Sequence, residues 1–213
     1  MKISRRLQAI ADIVPNGSNV IDVGCDHALL DIYLSLNKNC ECIATDINVN
    51  ALEQAKYNIK RYGVKNIKTM LTDGLNNIEV QDDDVVVISG MGTTTIEHIL
   101  TTNKAPNTLI ISAHNDWEFL RKTVVALHYI IKEEYFVTDK GKGYIIIKFV
   151  KGEGNYSAED LLYGPFLKEN KEYLTTLYNN INEIYNKIPN ENEDKEVKKK
   201  RLMEIQSLIE KLY

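Results

Sequence analysis

No apolar run in the 213-residue sequence approaches the ~20 residues needed to cross a bilayer. The basic start, Met1-Lys-Ile-Ser-Arg-Arg-Leu7, is not followed by an uninterrupted apolar stretch, so a signal peptide is not expected. Cysteine is scarce. Cys25, Cys40 and Cys42 leave an odd thiol in any pairing scheme and lack the spacing of a closed metal site. His27, His98, His114 and His128 form no ligand motif either. A reduced, cytoplasmic protein without a resident metal or a membrane segment is therefore expected. Nor is there a strong charge excess. A net charge of -4 argues against a general nucleic-acid coat but leaves room for a local basic patch. What remains, 44% hydrophobic and 26% charged residues, suits an ordinary α/β core with a small appendage.

Residues 4–14 read as an amphipathic helix with Leu7, Ile10, Ala11 and Val14 on one side, stopped by Pro15-Asn-Gly17. Short apolar strands are predicted over 19–23, 42–45, 67–71, 84–88 and 108–111. Helices are predicted between them over 31–36, 50–62, 93–100 and 117–127. The run Asp84-Val-Val-Val-Ile88 is β-branched and fully apolar, as expected at the middle of a parallel sheet. The rhythm then changes: 129–137 and 144–150 read as two strands joined by the turn Asp139-Lys-Gly-Lys-Gly143, a hairpin in place of a crossover. Beyond Gly154 the pattern is helical. Leu167, Leu174, Leu177, Ile181, Ile184 and Ile188 form one seam, residues 189–192 break it, and Leu202, Ile205, Ile209 and Leu212 form a second. An antiparallel helical hairpin of coiled-coil type is expected, giving two domains, 1–154 and 155–213.

The stretch Val20-Ile-Asp-Val-Gly-Cys-Asp-His-Ala28, answered by Ala44-Thr-Asp46, carries the most chemistry. A strand ends in an acid, enters a glycine turn, and meets a second acid at the end of the next strand, the usual hold on a nucleoside in an open α/β sheet. The turn lacks G-x-G-x-x-G, so it is a poor pyrophosphate loop. S-adenosyl-L-methionine, with a sulfonium, an amino acid end, a ribose and no phosphate, suits carboxylates and one close glycine. The fold class expected is thus α/β: a Rossmann-like class I S-adenosylmethionine-dependent methyltransferase fold. It would have a mixed, mostly parallel seven-stranded sheet with an antiparallel terminal hairpin, plus the small C-terminal helical domain.

The cofactor candidates lie where strands end. After the first strand come Asp22, Gly24, Cys25 and His27, with Gly24 letting the methionine part approach the backbone. After the second come Asp46, for both ribose hydroxyls, and Ile47. Asp73 and Gly74 follow the third, placed for the adenine amino group, and Ser89 and Gly90 follow the fourth. Each has a plainer reading beside it. Gly24 alone is a turn glycine, Asp46 alone an equal candidate for capping the next helix, and Gly90 with Gly92 a tight strand-to-helix connection. Asp26 either faces the methyl-transfer site or caps the helix starting near Ala28. His27 on its own is more often a structural histidine.

Taken together, Ser4-Arg-Arg-Leu7, the Val20–Ala28 stretch, Asp73-Gly74, Ser89-Gly-Met-Gly92, Asn115 and Gly164-Pro-Phe-Leu167 resemble the bacterial tRNA (adenine-N1)-methyltransferases that modify adenosine 22 in the D-arm. The resemblance runs in order over residues 1 to about 170, and that family also carries a C-terminal coiled-coil-like domain. Its motifs usually have Ser where this chain has Cys25, often Glu where it has Asp46, Gly where it has Thr93, and Gln-Pro where it has Ala113-His114. The resemblance implies methylation of N1 of adenine, with Asp26 and Asn115 catalytic and Arg5, Arg6, Met91 and Gly92 meeting the substrate. It also implies tRNA as partner through its D-arm region. The apolar helical seams leave a dimer through the C-terminal helices as the alternative to the expected monomer.

Basic clusters at Lys2, Arg5 and Arg6, at Lys56, Lys60 and Arg61, and at Lys140 and Lys142 can each be an RNA contact or plain solvated surface. Two other readings stand beside the tRNA enzyme. One is a methyltransferase acting on another RNA, a protein or a metabolite. The other is a non-catalytic RNA-binding scaffold that retains the fold.

Overall fold

The computed structural model describes residues 1–104, 106–190 and 192–213; Glu191, within the expected break between the helical seams, lies outside them. The chain divides into two compact units, Met1–Asn155 and Tyr156–Tyr213.

The first unit is a seven-stranded sheet in the order β3-β2-β1-β4-β5-β7-β6. β1 (Asn19–Val23), β2 (Glu41–Asp46), β3 (Ile67–Leu71), β4 (Val85–Ser89) and β5 (Thr108–Ser112) are parallel. They are linked by α2 (Leu29–Lys38), α3 (Val49–Tyr62), the stretch before β4, and α4 (Thr93–Thr102). The chain runs outward from β1 through β2 to β3, then returns to place β4 on the other side of β1. That reversal opens a crevice at the carboxyl ends of β1 and β4, where open α/β sheets bind ligands. The residues of β4 before Ser89 are all buried, as the β-branched run requires.

Local signals fix the ends of the helices. Before α1 (Arg5–Ile13), Ser4 Oγ accepts the Leu7 N–H at 3.2 Å. Lys38, at the end of α2, donates to the Ala11 and Val14 carbonyls, placing a cation at the C-terminus of α1. Gly63 ends α3 in the left-handed conformation, φ 68°, accessible to a residue without Cβ. Ile10, Val14, Val20, Leu34, Val87 and Ile146 share one core cluster, so α1 packs on the same face as α2.

α5 (Trp117–Ala126) leads to β6 (Tyr129–Asp139) and β7 (Lys142–Lys151), an antiparallel pair with β7 against β5. The hairpin is longer than its sequence suggested. Its turn is only Lys140-Gly141, both with positive φ (50° and 77°), the two-residue form that matches strand twist. Arg121 on α5 and Glu134 on β6 form a 2.7 Å ion pair with both side chains 0% exposed, joining helix to hairpin.

The second unit holds α6 (Ala158–Tyr163), a 3-10 turn (Leu167–Glu169), α7 (Lys171–Lys187) and α8 (Asp194–Glu210). The antiparallel pair α7–α8 is present, but the seams differ from the expected ones. Leu167 sits on the separate 3-10 turn, Ile184 is 48% exposed, and Leu208 rather than Ile209 joins Leu202 and Ile205 in the core. Buried residues Tyr163, Leu167, Tyr173 and Leu174 gather around the start of α7, so this is a small helical core and not an extended heptad coil.

Candidate active site

A strained turn connects β1 to α2. Gly24, Asp26 and Ala28 all have left-handed φ, 77°, 51° and 53°. For a residue with a side chain this costs about 1 kcal/mol, and such strain concentrates at functional sites. Three interactions hold it. The Gly24 and Cys25 N–H groups both donate to the Thr45 carbonyl, at 2.9 and 2.8 Å. The Asp26 N–H donates to Asp46 Oδ2 at 3.1 Å.

This geometry removes the helix-capping reading of two acids. α2 is capped at Ala28 without any side-chain bond, so Asp26 does not cap it; its carboxylate is exposed on the wall of the crevice. The cap of α3 is Asn48, whereas Asp46 holds the N–H groups of Asp26 and Asn48.

The crevice is a cavity of about 490 Å³. Of the expected residues, Arg6, Asp22, Gly24, Cys25, Asp26 and His27 line it, together with Ser89 and Gly90. The His27 ring stands 3.6 Å from the Asp26 carboxylate rather than serving the backbone. A Cβ on Gly24 would meet the Met91 methyl group, the far end of a flexible side chain, so it is the positive φ that calls for glycine here. The Met91 carbonyl accepts the His114 N–H at 2.9 Å, and Asn115 Oδ1 accepts the Thr93 N–H at 3.3 Å, tying the loop after β5 to the one after β4. Met91, Gly92 and Asn115 do not line the cavity, and Asn115 Oδ1 is engaged by backbone. Asp46, with Ile47 69% exposed beside it, continues the rim along β2, and Asp73 and Gly74 follow β3. Arg5 is exposed and does not line the cavity; Arg6 does.

Burial pushes Asp22 up to about 6, a rise opposed by a hydrogen bond with Asp31 and by the Arg6 charge, and helped by Asp46. Burial and the surrounding carboxylates raise the Cys25 thiol well above its ordinary range, which removes it as a nucleophile at neutral pH. Among the described residues, no group of three or more His, Cys, Asp or Glu could hold a metal ion.

Two features escaped the sequence reading. Tyr144, at the start of β7, lines the cavity, with the Arg6 guanidinium 5.3 Å from its ring centroid and Lys142 Nζ at 5.4 Å. Its only sequence signal is an aromatic among lysines at the hairpin tip. Asp31 is completely buried on α2 next to Asp22.

The sheet order, the crevice at β1 and β4 and the acid-glycine turn define a class I methyltransferase. The methyltransferase-domain family matches residues 3–147. The tRNA (adenine(22)-N(1))-methyltransferase of Bacillus subtilis is 30% identical, covering 100% of this chain and 96% of that protein. Two solved structures are similar throughout. M. capricolum TrmK with S-adenosyl-homocysteine has TM-score 0.87 at 29% identity, covering 100% of both chains. Streptococcus pneumoniae Sp1610 in complex with S-adenosyl-L-methionine has TM-score 0.89 at 26% identity, covering 98% of this chain and 100% of that one. The chain belongs to the tRNA (adenine(22)-N(1))-methyltransferase family.

Proposed function

We propose that this protein methylates N1 of adenosine 22 in the D-arm of tRNA, using S-adenosylmethionine, within the Met1–Asn155 unit. The observation that carries the reading is the Asp26 carboxylate. It is held on the crevice wall by a left-handed turn, free of any helix-capping duty, in a chain that matches its relatives from end to end. The crevice fits the cofactor by its chemistry: carboxylates at the ends of β1 and β2, beside a glycine turn in the left-handed conformation. When bound, S-adenosylmethionine supplies an electrophilic methyl group on a sulfonium.

The chain's own residues then divide the work. Asp46 accepts the ribose hydroxyls. Its carboxylate has about four acceptor positions, of which two serve backbone N–H groups. Ile47 covers the adenine face, and Asp73 with Gly74 meets its amino group. Asp22 faces the amino acid end, beside Gly24, Cys25, His27, Ser89 and Gly90. Adenine N1 carries an in-plane lone pair, so no base is needed to free it. The product is cationic, and Asp26 stabilises that charge as it develops. Met91 packs against Gly24 and, with Gly92, supports the turn from beside the cavity, and Asn115 holds that loop through the Thr93 N–H.

Arg6, Lys140 and Tyr144 at the cavity guide the RNA, with Arg5 on the outer face of α1. The target base leaves its stack to enter. The Lys195–Arg201 run of α8 offers a second cationic stretch. The monomer is the working unit, and cytoplasmic tRNA its substrate; among the described residues no helix is long and apolar enough to cross a membrane.

Methyl transfer from labelled S-adenosylmethionine to unmodified tRNA, followed by nucleoside mapping, tests this. 1-Methyladenosine at position 22 supports it. Label at another base or position, or none at all, overturns it.

A further inference from the structure

Asp22 and Asp31 place two buried carboxyl groups side by side beneath the crevice, 4% and 0% exposed, near enough to share a proton. Apart from its own backbone N–H, no N–H or hydroxyl among the described residues reaches either Asp31 oxygen. An unpartnered buried carboxylate is among the costliest arrangements in a protein interior. Two carboxylates this close and this deeply buried resist ionising together, so one holds a proton that the other accepts.

The surroundings decide which. Asp22 lines the cavity and feels the Arg6 charge from α1, opposed by Asp46 at the end of β2. Among the described residues no cation acts on Asp31. It faces Asp22 and the Cys25 and Cys42 thiols, with Cys42 Sγ directed to its backbone carbonyl at 3.8 Å. The proton therefore belongs on Asp31 and the charge on Asp22.

We propose that Asp31 is a positioning residue whose protonated carboxyl donates a hydrogen bond to Asp22, keeping Asp22 ionised and fixed at the cavity wall for a cationic ligand group. The ligand group is the ammonium of the cofactor's amino acid end, so the inference rests on the cofactor reading above. The pair presents one negative charge rather than two. Acid neutralises it through Asp22, and cofactor affinity falls as pH drops through about 6.

The test is calorimetric binding of S-adenosylhomocysteine from about pH 5 to about pH 8, with wild type, Asp31→Asn and Asp31→Leu, and thermal melts of each. Asparagine keeps a donor; leucine does not. Wild type and Asp31→Asn should bind within about threefold of each other at neutral pH, both weakening in acid. Asp31→Leu should bind about 10-fold or more weakly, with its pH midpoint displaced upward. Because Asp31 needs a proton only in its buried state, Asp31→Asn should also gain thermal stability over wild type as pH rises. Equal binding and pH profiles for leucine and wild type would overturn the proposal. So would an asparagine variant as weak as leucine, or, should the leucine variant not fold, an asparagine variant without the pH-dependent gain in stability. No binding by wild type overturns the cofactor reading together with this one.

Discussion

The backbone N–H of Asp26 donates to the Asp46 carboxylate at 3.1 Å, so the acid ending β2 holds the turn that follows β1. The residue proposed for the ribose therefore also positions the residue proposed for the methyl-transfer site. Asp46→Ala should cost stability as well as affinity. Loss of hydrogen bonds to a charged acceptor is worth about 1.5–3 kcal/mol, so S-adenosylhomocysteine should bind at least about 10-fold more weakly, with a lowered melting temperature. Calorimetry and a thermal melt on the same sample read both.

Tyr144 offers a ring face at the cavity, with Arg6 and Lys142 near it. A base stacked on an aromatic ring gains about 1–3 kcal/mol. Tyr144→Ala should raise KM for tRNA about 10-fold and leave S-adenosylhomocysteine affinity unchanged, while Tyr144→Phe stays near wild type. Steady-state kinetics with varied tRNA distinguishes this from a cofactor defect.

The Arg121–Glu134 pair is fully buried, so breaking it on one side strands a charge. Arg121→Met should destabilise the first unit by about 3–5 kcal/mol. Adding Glu134→Leu should restore much of that loss. Urea denaturation of the two variants gives the comparison.

In the second unit Asp160 is held down to about 2, first by its hydrogen bond from Lys168 and then by Ser157, its partner in the capping box of α6. A depressed carboxyl stabilises the fold above its ordinary range, and the contribution disappears as pH falls through the depressed value. Asp160→Asn should cost about 1–2 kcal/mol at neutral pH, discounted for the partly exposed lysine. The gap between variant and wild type should narrow below about pH 4. Thermal melts across that range measure it.

Much of this was legible in the sequence because the parallel strands announce themselves. Asn19–Val23 and Ile67–Leu71 occur as predicted, since short apolar runs bounded by glycine and acid have few alternatives. Asp22 and Asp26 at the cavity followed from the same pattern, as ligands gather at strand ends, whereas Asp139 in the lining did not. What escaped depends on contacts between distant residues or on rare backbone states. Lys140 looks like any hairpin lysine until its positive φ shortens the turn to two residues. Nothing local in the sequence marks Asp31 or Arg121 as buried; only packing against the sheet buries them. Tyr144 gains its place from Arg6, far away in sequence. The C-terminal seams over-reached because apolar spacing continued after the available packing surface ended.

The central claim is that the Asp26 turn is the site of methyl transfer. Single-turnover transfer to unmodified tRNA by wild type and Asp26→Ala, with S-adenosylhomocysteine affinity measured on both, tests it most directly. The expected result for Asp26→Ala is a rate about 100-fold lower or worse with affinity within about threefold. Transfer by Asp26→Ala at the wild-type rate, with the same affinity, would contradict it.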